Sequence, residues 1–309
     1  MIDDGVRAWL TEDALPGRRI DEVRRLAGGF SNDTLLVRSG DDRYVLRRYL
    51  RGNTSAVEVA LARRLAGVVP VPEIVAADTE GATAGAPVVL SRFVAGTLGS
   101  ELLARSSLAE ARLIGIAVGE VLARIGSVAF AAPGFFTGPE LEPGPPGMEP
   151  ASGLAAFVDN CLARGNVESA LSEAEVDGLR GLAADWEPRL AAVHGASRLV
   201  HSDFNPKNLL AARVGDDWRV TAVLDWEFAF SGSPLVDIGN MLRFPDETGG
   251  PYADGFVAGY AAHADLPDDW RELSLALDLY ALAEFLTRPT DHPFFARAIA
   301  VIRGHLTAR

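Results

Sequence analysis

Cysteine is almost absent. Cys161 is the one thiol in 309 residues, so no disulfide can close within the chain and no thiolate zinc site can be assembled. Such a chain suits a reducing compartment, and a cytoplasmic location is expected. Lysine is as scarce: Lys207 is the sole lysine among 29 basic residues, and the other 28 are arginine. No apolar run approaches the ~20 residues of a membrane span, and Met1-Ile2-Asp3-Asp4 is acidic where a signal peptide is basic and then apolar. A basic stripe is missing too. With a net charge of −13, the chain does not read as a nucleic-acid binder. The acidic excess aids solubility and would also suit a cationic small molecule.

Several catalytic signatures are lacking as well. A Walker A loop needs a lysine closing a glycine-rich run, and no such run precedes Lys207. No Gly-x-Gly-x-x-Gly follows a strand, which removes the dinucleotide fingerprint. The five histidines form no His-Glu-x-x-His pair, and there is no Gly-x-Ser-x-Gly elbow.

What is present divides into two parts. Residues 1–96 are β-rich. Glu22–Ala27, Thr34–Ser39 and Arg43–Tyr49 have strand composition, with Gly40-Asp41-Asp42 as a hairpin turn. Val57, Leu61 and Leu65 recur at helical spacing over Ser55–Ala66; Pro87–Phe93 is a further strand, and Val94-Ala95-Gly96 a hinge. Residues 97–309 are mostly helical: 108–125, 172–190, 251–264, 268–287 and 290–307, with strands again over 198–225. The Pro- and Gly-rich stretch 133–153 is a long loop or lid. The expected fold is α+β, a small β-rich lobe at 1–96 and a larger helical lobe at 97–309.

The informative segment is Leu199-Val200-His201-Ser202-Asp203-Phe204-Asn205-Pro206-Lys207-Asn208, an apolar strand end followed by a polar loop. Asp225 lies seventeen positions beyond Asn208, at the end of another apolar run. Both acids sit where a strand gives way to a loop, a placement that exposes side chains on a rigid base. The pattern His-x-Asp-x-x-x-x-Asn, then strand and Asp, resembles the catalytic signature of the protein kinase-like fold. Asp225-Trp226-Glu227-Phe228, Gly232-Ser233-Pro234 and Asp237-Ile238-Gly239-Asn240 are similar to the aminoglycoside phosphotransferase and choline kinase branch. The resemblance spans nearly the whole chain and is most specific over 199–243.

It implies a two-lobe, protein kinase-like enzyme that passes a phosphoryl group from ATP, with GTP an open alternative, to a small-molecule hydroxyl. Asp203 would orient that hydroxyl and accept its proton. Asn208 and Asp225 would supply oxygens to Mg²⁺. His201 is read as a brace for the loop. Ser202 stands where the family usually has glycine. Lys207 would suit a phosphate as a point charge, or be a solvated side chain. In the first lobe, Gly29, Ser31 and Asn32 fall where the phosphate-covering loop is expected. Strand alternation puts Val45 and Arg47 on one face and Leu46 and Arg48 on the other; the resemblance selects Arg47 as the basic anchor. Glu58 is open to two roles: the helix carboxylate that pairs with Arg47, or the third residue of a capping box begun by Ser55. Ser91 and Phe93 belong to the inter-lobe segment whose backbone would hold adenine. Asp237 is expected to precede a helix and to organise the loop carrying Asp225.

For the acceptor, the acids of the second lobe are candidates: Asp159, Glu227, Asp278 and Glu284, with internal ion pairs or solvated helix edges as the rival account. They would suit an aminoglycoside or another antibiotic, which would make the protein a resistance enzyme. An amino alcohol or sugar-like metabolite is the alternative, and a non-catalytic nucleotide-binding regulator a further one. A protein kinase is disfavoured, since Asp-Phe-Gly and Ala-Pro-Glu are absent. No nucleic-acid or membrane partner is expected, and the state would be monomer or homodimer.

Overall fold

Two antiparallel hairpins and a short helix begin the chain, and side-chain alternation along the strands sets which residues face each side of the sheet. The computed structural model describes residues 2–26, 32–50, 52–144, 151–167 and 170–308. Helix α1 (Asp4–Trp9) is capped by Asp3, whose side chain accepts the Val6 amide. Strands β1 (Glu22–Arg25), β2 (Asn32–Ser39) and β3 (Asp42–Tyr49) come next, then α2 (Ser55–Leu65), β4 (Ile74–Asp78) and β5 (Val88–Arg92). They form an antiparallel five-stranded sheet in the order β1-β2-β3-β5-β4. The β2–β3 turn is made at Gly40, whose φ of +60° suits a residue without Cβ. Tyr44, Leu46, Val88 and Leu90 point to one face, where Val6, Trp9 and Leu10 cover them. Tyr49 and Val89 point to the other, against Val59 of α2. The period of two therefore sends Arg48 towards α1, where it pairs with Asp3, and Arg47 towards α2.

Strand β6 (Thr97–Leu98), α3 (Gly99–Leu103) and α4 (Leu108–Ser127) continue the chain. Helix α4 opens with a capping box in which Ser107 and Glu110 bond reciprocally. The expected loop at 133–153 holds a two-residue strand, β7 (Gly134–Phe135). Helices α5 (Leu154–Arg164) and α6 (Glu173–Trp186) lead to β8 (Arg198–Val200), β9 (Leu209–Val214), β10 (Asp217–Val223) and β11 (Phe230–Gly232). The chain ends in helices α7 (Leu235–Leu242), α8 (Pro245–Thr248), α9 (Pro251–Ala261), α10 (Trp270–Phe285) and α11 (Pro293–Thr307). Among the described residues no helix is long and apolar enough to cross a membrane.

Two compact units divide the chain, and neither is a continuous span. The first comprises Met1–Leu102, Phe136–Glu142 and Lys207–Phe228; the second comprises Leu103–Phe135, Pro143–Pro206 and Ala229–Arg309. The first thus holds the five-stranded sheet and a second, three-stranded sheet of order β10-β9-β6. The second is helical around a small sheet of order β7-β11-β8. The architecture is α+β, with a β-sheet N-terminal region and a helical C-terminal region.

Helices α4 and α9 touch through glycines on both sides. A Cβ on Gly115 would lie 2.3 Å from the Tyr252 carbonyl oxygen, and one on Gly119 2.1 Å from that of Phe256. Reciprocally, a Cβ on Gly255 would meet the Arg112 oxygen at 2.1 Å and one on Gly259 the Ile116 oxygen at 2.2 Å. Backbone rests on backbone here, and α4 buries Ile114, Val118, Val121, Leu122 and Ile125 around the contact.

Candidate active site

In the second unit, β8 ends at Val200 and delivers His201, Ser202 and Asp203. His201 is fully buried. Its Nδ1 accepts the Asp203 amide at 3.2 Å, which leaves that nitrogen unprotonated and makes the ring a brace. The Asp237 carboxylate receives the backbone amides of His201 and Ser202, each at 2.8 Å. Asn240, one turn on, donates its side-chain amide to the Ser202 carbonyl at 3.2 Å. Asp203 is half-buried, and its Oδ1 accepts from Asn205 Nδ2 at 2.8 Å.

Asp237 differs from expectation in two ways. It lies inside the first turn of α7 and does not precede the helix. Among the described residues, the amides it holds belong to the loop of Asp203, not to that of Asp225. Burial pushes its carboxyl up to about 7, against the pull of the two amides, and the charge of Asp203 adds to the rise. The folded state therefore binds the extra proton between the ordinary value of 3.8 and about 7. Stability from this group is fully present below that window and falls as pH rises through it. Asp237→Asn should flatten this slope, measured by urea unfolding at several pH values; an unchanged slope would exclude Asp237 as its source.

Ser202 has φ of +69°, the left-handed region that costs a side-chain-bearing residue about 1–2 kcal/mol. Glycine, which the resemblance leads one to expect here, would adopt this conformation without that cost. Ser202→Gly should stabilise the protein by about 0.5 kcal/mol once the chain entropy of glycine is set against the relief. Thermal unfolding would register the gain, and a lower melting temperature would refute it.

The first unit resumes at Lys207, which is exposed and belongs to the 3-10 turn Pro206–Asn208 that leads into β9. The Leu224 amide donates to the Asn208 carbonyl at 2.8 Å. Asp225 comes next with φ of +67°, a conformation that Asp tolerates better than most residues. Trp226 is buried and anchors the turn through its indole N–H on the Val223 carbonyl at 3.1 Å.

Arg47 is the hub of this unit. Its Nη1 donates to Glu58 at 3.0 Å, and its Nη2 to Asp225 Oδ1 at 2.7 Å and to Glu227 Oε2 at 2.8 Å. Its guanidinium also sits 5.3 Å from the Tyr49 ring centroid. Burial disfavours the charge on Arg47, but Glu58 and Asp225 more than offset this and hold it protonated. Burial pushes the Glu58 and Glu227 carboxyls up, and Asp225 raises both further, while Arg47 opposes the rise. Three carboxylates thus face one guanidinium. Arg47 Nε is buried with no hydrogen-bond partner among the described residues.

Glu58 takes the ion-pair role. Its second oxygen accepts from the Thr54 hydroxyl at 2.6 Å, and the capping box from Ser55 does not form, since Ser55 Oγ turns to Asn53 and Thr79. Glu227, expected as a substrate carboxylate, is only 11% exposed and is engaged by Arg47 and by Asn32 Nδ2 at 2.9 Å. It is a partner of the anchor, because Arg47 has a second Nη to reach it. Gly29 and Ser31 lie outside the described residues. In the Ser91–Phe93 segment, the Phe93 amide donates to the Arg43 carbonyl and the Arg92 amide to that of Glu73. These two donors are already used within the first unit.

The other three expected substrate acids are also occupied. Asp278 is buried and bidentate with Arg243, at 2.7–3.0 Å. Glu284 pairs with Arg288 at 2.6 Å and Asp159 with Arg180 at 3.0 Å, both at the surface. None is an open carboxylate, because arginine lies within reach of each. Sequence reasoning passes over Thr54 and Tyr49. Tyr49 has a readable signal, since it lies two residues from Arg47 on the same strand face.

A comparison with curated proteins gives no match. Among solved structures, a candidate aminoglycoside phosphotransferase from Ralstonia eutropha JMP134 is 19% identical, with 100% of this chain and 99% of that one covered and a TM-score of 0.69. A thermostable mutant of aminoglycoside phosphotransferase APH(4)-Ia, solved with ADP and hygromycin B, is 18% identical over 98% of each chain, with a TM-score of 0.68. APH(2")-IIIa, solved with GDP and kanamycin, is 19% identical over 96% of each, with a TM-score of 0.66. These likenesses establish a shared kinase-like fold. Residues 22–275 match the phosphotransferase enzyme family, and that span, with the Asp203 loop and the Arg47 cluster inside it, makes the chain a member of the phosphotransferase enzyme family.

Proposed function

We propose that the protein is an ATP- and Mg²⁺-dependent O-phosphotransferase acting on a hydroxyl of a small molecule. The observation that carries this is the Arg47 cluster: a largely buried guanidinium held by Glu58, Asp225 and Glu227, whose Nε–H has no partner among the described residues. A guanidinium anchored in this way holds a fixed positive charge that suits phosphate oxygens. The nucleotides bound in the solved relatives support a nucleotide as co-substrate, GTP included.

Asn208 and Asp225 fit a magnesium ion by their chemistry. Their amide and carboxylate oxygens are hard donors, and Mg²⁺ characteristically takes few protein ligands and keeps water and phosphate oxygens. The surplus of carboxylates over guanidinium in the cluster also favours a divalent cation. Among the described residues no group of three or more His, Cys, Asp or Glu side chains is arranged to hold a metal, so Asn208 and Asp225 would act with phosphate and water. Bound there, the ion would neutralise charge on the phosphates.

The rest of the work falls to the chain. Asp203 orients the acceptor hydroxyl and takes its proton as the oxygen forms its bond to the γ-phosphorus. The bond to the bridging β-phosphate oxygen breaks, and ADP leaves. Asn205 holds one Asp203 oxygen and so fixes its rotamer. Asp237 and His201 hold the backbone beneath it. Arg47, kept in place by Glu58 and Glu227, meets phosphate charge. The acceptor could be an aminoglycoside or other antibiotic, or a hydroxylated metabolite. The test is a Mg-ATP coupled assay across aminoglycosides, other hydroxylated antibiotics and small alcohols, with wild type against Asp203→Ala; equal turnover in both defeats the assignment.

A further inference from the structure

We infer that the buried Arg243–Asp278 pair is a positioning device for phosphoryl transfer: it locks α7 to α10 and so fixes where α7 holds the loop of Asp203; this rests on the phosphotransferase reading. All of these residues lie in the second unit. The pair acts on Asp203 through α7 and the backbone of the loop.

Helix α7 holds two neighbours with two different faces. Asp237 and Asn240, three positions apart, share one face. Asp237 accepts the amides of His201 and Ser202, and Asn240 donates to the Ser202 carbonyl; Asp203 is the next residue along. Gly239 and Arg243, four positions apart, share another face. Arg243 follows the last residue of α7 but keeps helical angles, φ −53° and ψ −38°, so it continues the same turn. A Cβ on Gly239 would lie 2.4 Å from the Ser274 carbonyl oxygen and 3.0 Å from Asp278 Cβ. Helix α7 thus rests closely on the backbone of α10. One turn further along α10, Asp278 takes Nε and Nη2 of Arg243 at 2.7–3.0 Å. The close contact and the ion pair together oppose both sliding and rotation of α7.

Stability alone does not account for the pair. Its side chains are only 6% and 3% exposed, and the desolvation of two such charges largely offsets their attraction, so an apolar pair of similar volume often serves as well. What the fork adds is direction. Guanidinium and carboxylate meet bidentately in one register, whereas apolar side chains can slide past one another. Other local costs gather around the same loop. Ser202 has its positive φ, Asp237 is a fully buried acid, and Asn240 Oδ1 is buried with no hydrogen-bond partner among the described residues. Costs concentrated on one segment mark a place held for its geometry. The geometry matters because a shift of about 1 Å at the reacting groups can lower a rate about 10²-fold.

The test uses the full chain, the variant Asp278→Asn, and the double variant Arg243→Met with Asp278→Leu, which refills the volume without the fork. Each is read by melting temperature, by hydrogen exchange of the His201, Ser202 and Asp203 amides, and by ADP release from Mg-ATP with water as the acceptor. The double variant should melt close to wild type. Its loop amides should nevertheless exchange about tenfold faster while those of α4 do not change. Its ADP release should fall about tenfold, with the KM for Mg-ATP shifted less than about twofold. Asp278→Asn keeps the shape and one acceptor oxygen, so it should show the same loop exchange at smaller size, and it carries the test if the double variant does not fold. Wild-type loop exchange in the folded variants reduces the pair to packing and refutes the inference. Faster exchange spread equally over α4 and the loop refutes it too. Absence of Mg-ATP binding by the wild-type protein in calorimetry would bring down the phosphotransferase reading instead, and the loop exchange would still decide whether the pair fixes the loop.

Discussion

Asp203→Asn should lower turnover about 10³-fold, within the usual range for loss of a general base. Asparagine has the same shape, and the Asn205 amide can still meet its carbonyl oxygen. The Asp203 amide bond to His201 is made by the backbone and does not change. What disappears is a group able to take the hydroxyl proton. Mg-ATP affinity should therefore hold, because Arg47, Asn208 and Asp225 are untouched. Steady-state kinetics together with calorimetric nucleotide binding checks both halves. Turnover within a few-fold of wild type would remove Asp203 from the chemistry. Joint loss of binding and turnover would mean that the loop had been disturbed.

Gly119→Ala and Gly259→Ala should each destabilise the fold by about 3 kcal/mol, the upper end of the usual overpacking cost. The added methyl would fall 2.1 or 2.2 Å from a carbonyl oxygen of the facing helix. A backbone carbonyl cannot rotate aside as a side chain can, so the helices must part, and the apolar contacts of α4 loosen with them. Against a typical total of about 5–15 kcal/mol, this is a large share. Gly304→Ala is the counter-test: it lies in α11, nothing stands within 4 Å of its added Cβ, and it should gain up to about 1 kcal/mol from helix propensity. Urea unfolding of the three variants would show opposite signs. A loss below about 1 kcal/mol at Gly119 and Gly259 would mean that α4 and α9 can separate at little cost, outside the usual overpacking range.

The site is legible in the sequence wherever chemistry demands a fixed local spacing. Asp203, Asn208 and Asp225 stand at strand ends, and their order is readable because the elements between them are short. Arg47 can be placed on a face by counting residues along β3. Glu227 cannot be assigned that way, since its partners Asn32 and Arg47 lie 195 and 180 positions away, and nothing local marks the pairing. Asp237 is visible as a residue near a helix start, but one amide it holds comes from 35 positions upstream. Helix α1 is hidden because six residues carry too little periodicity. The glycines of α4 and α9 look like poor helix formers in the sequence; only their apposition gives them a purpose. For Asp159 and Asp278 the sequence favours an ion pair or a solvated helix edge over a substrate contact, and the structure pairs both with arginine.

The path of the chain through the two units has a consequence for its synthesis. A nascent chain that has emerged as far as β6 has made the five-stranded sheet and Arg47, but neither Asp225 nor Glu227. Strands β9 and β10, which complete the β6 sheet, emerge only after β8 of the second unit. Until then, Arg47 has only Glu58 among its three acidic partners, and β6 has no neighbour. On the ribosome, the first unit begins first and finishes only after much of the second has been made. A polypeptide halted just after β8 would leave both units unfinished and offer exposed strand edges to chaperones.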